Sequence, residues 1–153
     1  MDPIYLSIGA DPAPWYLGDA EYSQVVAELG QPGPVVLDVV SPLRGRLVLS
    51  VAHAGSVSLL KVPPTVGTHP GDAYKAHAPR LYLPTAAGPG KDLPGYELAA
   101  GTELSALEQD IVTAMRDGTP LPVPVTAGLS SGQVVLSGGT LAFAVLRPPD
   151  GRG

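Results

Sequence analysis

The 153-residue chain contains no cysteine, so disulfides, thiolate nucleophiles and Cys-ligated zinc are excluded, and a reducing compartment is compatible with it. Charge is scarce too. Asp, Glu, Lys and Arg make up 15% of the residues, against roughly 25% in an average soluble domain, and the formal net charge is -5. The nine basic residues stand singly, apart from Arg44 and Arg46, which flank Gly45. Without a basic cluster the counterion release that drives nucleic-acid binding is missing, and an acidic chain repels phosphate backbones. Aromatics are 5%, with a single Trp and a single Phe, so any core must be largely aliphatic. The N-terminus shows no basic region followed by an apolar run, so no signal peptide is expected and the chain is expected in the cytoplasm. Residues 118–146 carry no charge, a length that raises the question of a membrane span. Glycines, prolines and period-two alternation inside that stretch make it strands and turns, and no membrane contact is expected.

Two residue types are abundant instead: 19 Gly and 18 Pro. That content approaches the level of low-complexity chains, but Leu, Val, Ile and Phe are about 27% of the sequence, above the roughly 20% needed for burial to offset chain entropy. The result is a folded protein with many turns, of a length that fits one domain or two closely packed halves.

Two halves line up. Residues 4–7 (IYLS) resemble 81–84 (LYLP), and each run is followed by a Gly/Pro-rich loop, residues 9–18 and 84–101. Helical spacing comes next. Tyr22, Val25, Val26 and Leu29 lie behind the candidate N-cap Asp19 and stop at Gly30; Leu104, Leu107, Ile111 and Met115 lie behind Thr102 and stop at Gly118. The period then switches to two at residues 35–40 and 121–126. Residues 45–50 (GRLVLS) match 132–137 (GQVVLS), last strands are expected at 56–62 and 140–146, and both halves end in a Pro pair. The fold class expected is α+β: two βαβββ-like halves with mainly antiparallel sheets and one helix each, related by a pseudo-twofold duplication. The halves would be 1–64 and 81–149, with a linker at 65–80 and a frayed tail at 150–153. Gly138 and Gly139 read as a two-residue hairpin turn, which makes the three strands after each helix a meander. Pro122 and Pro124 lack N–H groups on the same side of their strand, so residues 121–126 should form an edge strand or be bulged.

Few residues suggest chemistry. Residues 128–132 (GLSSG) match the nucleophile-elbow pattern around Ser130, but that elbow needs a helix after the serine, and a strand is expected there. His69 and His77 lie in the linker near Asp72, Tyr74 and Lys75; a cation site or proton shuttle is conceivable from those types, yet no rigid ligand spacing supports it, and exposed loop histidines are the simpler reading. His53 falls in an expected turn and should be exposed. Trp15 and Tyr16, among prolines, form either a recognition surface or a cap on the core. The acidic residues sit near helix starts and polar helix faces, with no carboxylate pair.

The β-α-β-β-β order, twice, over residues 4–62 and 81–146, is similar to the paired modules of the vicinal oxygen chelate superfamily, which includes glyoxalases, extradiol dioxygenases and metal-free drug-sequestering proteins. That resemblance implies His or Glu metal ligands on the first and last strands of each module, and the corresponding runs here contain neither. No metal or other cofactor is therefore expected. Two functions remain: a non-catalytic binding or assembly protein acting through protein partners or self-association, or a metal-free small-molecule binder with a cleft between the halves. The surface expected to matter in either case comprises Trp15, Tyr16, His69, Tyr74 and His77.

Overall fold

A computed structural model describes residues 3–8, 15–18, 20–40, 45–61, 79–83, 96–127 and 130–148. In chain order the elements are β1 (Ile4–Ile8), β2 (Trp15–Gly18), α1 (Tyr22–Leu29), β3 (Val35–Val39), β4 (Gly45–Leu49), α2 (Val51–Ala54) and β5 (Val57–Leu60). There follow β6 (Arg80–Tyr82), β7 (Tyr96–Leu98), α3 (Leu104–Asp117), β8 (Pro120–Ala127), β9 (Ser130–Ser137) and β10 (Phe143–Arg147). The protein is α+β, with antiparallel strands in two sheets, one ordered β2-β1-β5 and the other β3-β4-β10-β6-β7-β8-β9. Among the described residues no helix is long and apolar enough to cross a membrane.

The larger sheet is the middle of three layers. Leu37, Val39, Leu47, Leu49, Tyr82, Phe143 and Val145 project from one face into a core shared with Ile4, Leu6, Ile8, Trp15 and Leu17 of the smaller sheet. Val48, Leu81, Leu98, Val123, Val125, Leu136, Ala144 and Leu146 project from the other face toward Leu107, Ile111 and Met115 of α3. Strands β4 and β10 lie where both faces are covered. That is why they read as nearly continuous apolar runs, whereas β1 alternates buried and half-buried residues.

The succession within each half differs from βαβββ. Extra strands, β2 and β7, occupy segments expected as loops, so each half begins with two strands before its long helix, and the first half also carries the four-residue α2. The element order on which the vicinal-oxygen-chelate resemblance rests is therefore not the order of the structure. The meander is also absent. β5 leaves its neighbour β4 to pair with β1, and β10 leaves β9 to pair with β6 and β4. The first half is consequently divided between the two sheets, and the second half's last strand is stitched to the first half. Within this arrangement the pairings inside the halves correspond: β1 with β2 and β5, and β3 with β4; β6 with β7 and β10, and β8 with β9. One link is weaker in the first half. β7 and β8 form a short ladder, while β2 and β3 meet through Val40 N–H donating to the Tyr16 carbonyl at 2.8 Å. Of the linker 65–80, only Pro79 and Arg80 are described, and Arg80 already belongs to β6; the 150–153 tail lies outside the described residues.

Helix caps shift by a residue or so, as helix ends commonly do. Asp19 lies outside the described residues, and Glu21 is the N-cap of α1. Glu103 caps α3, while Thr102 Oγ1 turns back to donate to the Ala99 carbonyl at 2.6 Å. Gly118 ends α3 with φ of 68°, the left-handed conformation glycine adopts at little cost. Lys61 Nζ sits 4.8 Å from the Tyr22 ring centroid and ties the end of β5 to α1.

Helix α3 is also held electrostatically. Arg46 on β4 donates from Nε and Nη2 to Glu108 Oε1 and Oε2, at 2.9 and 3.2 Å, and from Nη1 to Asp38 on β3 at 2.9 Å. The hydrogen bonds to Glu108, then to Asp38, hold the guanidinium pKa above its ordinary value. Because the Glu108 side chain is mostly buried, this fork should outweigh an ordinary exposed ion pair. A double-mutant cycle with Arg46→Ala and Glu108→Gln in urea unfolding should give a coupling of about 1 kcal/mol. Coupling near zero would mean that the fork does not hold the helix.

Candidate interaction edge

The two hairpins β3–β4 and β8–β9 are built alike, and they differ in what lies beyond them. In the first, β4 is covered on its outer side by β10, with Phe143 opposite Leu49, Ala144 opposite Val48, Val145 opposite Leu47 and Leu146 opposite Arg46. In the second, β9 is the last strand of the sheet, and among the described residues no strand pairs with its outer side.

The prolines of β8 set which groups β9 turns outward. A strand residue presents its N–H and C=O on the same side, and the Pro124 carbonyl accepts from Ala99 N–H at 3.2 Å, just beyond β7. Pro122 and Pro124 therefore turn their missing donors toward the β7 side, where the ladder covers only Val125 and Thr126 of β8. The alternate residues Leu121, Val123 and Val125 bond to their partners Leu136, Val134 and Gly132. Gln133 and Val135 are left with N–H and C=O groups facing out of the sheet. The expectation of a strand unpaired on one side is thus met by part of β8, but the edge of the sheet is β9.

Charge and proline, two of the usual protections of a free edge, are missing from β9. Its outermost large side chain, Val135, is 62% exposed, the highest value among the exposed large hydrophobics of the described residues. Residues 133–137 were legible as a strand in the sequence, while β9 begins earlier, at Ser130, and its position at the edge depends on β10 departing for β4, which no local pattern carries.

Of the surface expected from sequence, Trp15 and Tyr16 are among the described residues. Trp15 is buried between the sheets, with its ring edge-on to Phe143 at a 6.0 Å centroid distance and 70°. It caps the core and does not offer a recognition face. Tyr16 points to the opposite side of β2 and stacks on Tyr5 at 5.1 Å and 26°. His69, Tyr74 and His77 lie outside the described residues. Ser130 opens β9, so a strand follows it where a nucleophile elbow needs a helix. His53 is half-buried on α2 rather than exposed, and its Nδ1 donates to the Leu141 carbonyl at 3.2 Å, pinning α2 to the approach to β10.

Two arginines absent from the sequence-based candidates are buried side by side. Arg80 and Arg147 are direct cross-strand partners on β6 and β10. Arg147 Nη1 donates to the Tyr82 hydroxyl at 3.2 Å, and Arg80 approaches Glu97 at 3.8 Å. Both are engaged within the protein, as a buried like-charged pair requires. Their positions, at a linker end and a strand end, carry no periodic signal that would have placed them together.

No family model, curated protein or solved structure matches the chain.

Proposed function

We propose that this protein is a non-catalytic binding or assembly protein that acts through protein-protein contacts. The observation that supports the reading best is the outer edge of β9, eight uncharged residues with outward N–H and C=O groups and an exposed Val135. An open edge of this kind is a template for strand addition, in which main-chain hydrogen bonds supply affinity and alternate side chains supply selectivity. The burial of Trp15 adds to it, because one of the two aromatics expected to line a ligand cleft is spent on the core.

Native mass spectrometry of the gently purified protein tests the proposal. The expected result is a complex containing a second polypeptide, either another copy or a different protein. A chain of 15.6 kDa carrying only a small molecule would overturn it in favour of a metal-free small-molecule binder.

A further inference from the structure

We infer that the edges of β9 and β5 form a junction between two copies of this chain, β9 of one copy pairing antiparallel with β5 of the other. This inference rests on the assembly reading above and names its partner. The template is the β4–β10 junction within the chain. β9 corresponds to β4, since 132–137 (GQVVLS) repeats 45–50 (GRLVLS), and each is the second strand of its hairpin. β5 corresponds to β10, since each is the last strand of its half and pairs with the first: Leu60 lies opposite Tyr5 as Val145 lies opposite Tyr82. The counterpart of β4–β10 is therefore β9–β5. Both of those strands end their sheets, and among the described residues neither outer side is paired.

Exposure also differs between the two pairs of strands. Val48 on β4 and Val145 on β10 are each 0% exposed, while their counterparts Val135 and Leu60 are 62% and 37% exposed. Among the described residues both are large hydrophobics left to solvent. Carrying over the register of Val145 opposite Leu47 and Ala144 opposite Val48 sets Leu60 opposite Val134 and Leu59 opposite Val135. Each copy offers one β9 edge and one β5 edge, so reciprocal exchange makes two identical junctions and closes a twofold dimer. Neither strand contributes a charge to the contact, so the net charge of -5 on each copy is kept out of the junction.

The absence of cysteine makes the register testable by single-cysteine variants. Leu60→Cys and Val134→Cys would face one another as a non-hydrogen-bonded pair, the closer of the two kinds of cross-strand pair. On mild oxidation the mixture of the two variants is expected to give a disulfide-linked species of twice the chain mass, at least tenfold more than either variant alone. Val134→Cys cross-linking equally well by itself would show β9 meeting β9 and overturn the inference. So would an intrachain disulfide in the double variant, which would mean that one copy closes on itself. As a second measurement, the exposed positions tolerate Leu60→Lys and Val135→Lys, and each should convert the dimer to a folded monomer in analytical ultracentrifugation. A dimer that persists in both variants, or a monomer that joins a different protein, overturns the inference while the assembly reading stands. A monomer that retains only a small molecule overturns both.

Discussion

Ile111→Ala is expected to remove about 2 to 5 kcal/mol of stability, a large part of the roughly 5 to 15 kcal/mol available to a domain of this size. Ile111 is fully buried at the centre of the stripe formed by Leu107, Ile111, Ala114 and Met115, which lies against Val48, Val123 and Leu146 of the larger sheet. Truncation there loses the transfer free energy of three carbons and leaves a cavity that helix and sheet cannot both collapse into. Because the protein has so few aromatics, each aliphatic contact under α3 carries more of the burial. Gln109 faces solvent on the same helix, and Gln109→Ala should change stability by less than about 0.5 kcal/mol. Urea unfolding of the two variants separates these outcomes; equal midpoints would mean that α3 docks on a different face.

Gly138→Ala should cost about 3 kcal/mol or more, by overpacking rather than by loss of contact. Neither Gly138 nor Gly139 is among the glycines with positive φ, so the pair is not the primed hairpin turn that its sequence suggests. Glycine is required at 138 for a different reason. A Cβ there would overlap the Ala114 carbonyl group of α3 and the Thr119 carbonyl oxygen, and these are backbone atoms that no rotamer change can move aside. The turn packs against the C-terminal end of α3, with Gly138 N–H donating to the Thr119 carbonyl at 3.2 Å. From there the chain passes through Thr140 and Leu141, both bonded back to the Ser137 carbonyl, and on to β10. Displacing Gly138 would therefore disturb the route by which β10 reaches β4. At Gly139 a Cβ would meet its nearest atoms at 3.7 and 3.8 Å, ordinary van der Waals contact, and Gly139→Ala should be close to neutral. Thermal unfolding of the pair decides the matter, since similar midpoints would contradict the close approach at 138.

Periodicity made the long elements legible. The stripe of α3 and the alternation in β3 and β8 each reflect one buried face, and β4 and β9 show as matching runs; all of these are local properties of the chain. β2 and β7 were not legible, because four and three residues are too few to show a period and both are flanked by Gly- and Pro-rich sequence. The strand order was illegible for a different reason. A two-glycine step between alternating runs suggests a hairpin, but here the step serves helix packing, and β10 finds its partners 94 to 100 positions earlier in the chain at β4. Trp15 shows the same division. Its neighbouring prolines fit a displayed loop and a core cap equally well, and only the position of Phe143 on a distant strand makes it a core residue.

The edge of β9 follows from that long-range choice, and so does the reading of the protein as an assembly module. Residue-resolved amide hydrogen exchange, measured across protein concentration, tests the pairing of that edge between copies most directly. Gln133 and Val135 turn their N–H groups out of the sheet, whereas Val134 and Leu136 are bonded to β8 at every concentration. The expected result is fast exchange at Gln133 and Val135 in dilute protein and strong protection of both as copies associate, with Val134 and Leu136 protected throughout. Fast exchange at Gln133 and Val135 across the whole range, in a chain that stays monomeric, would contradict it.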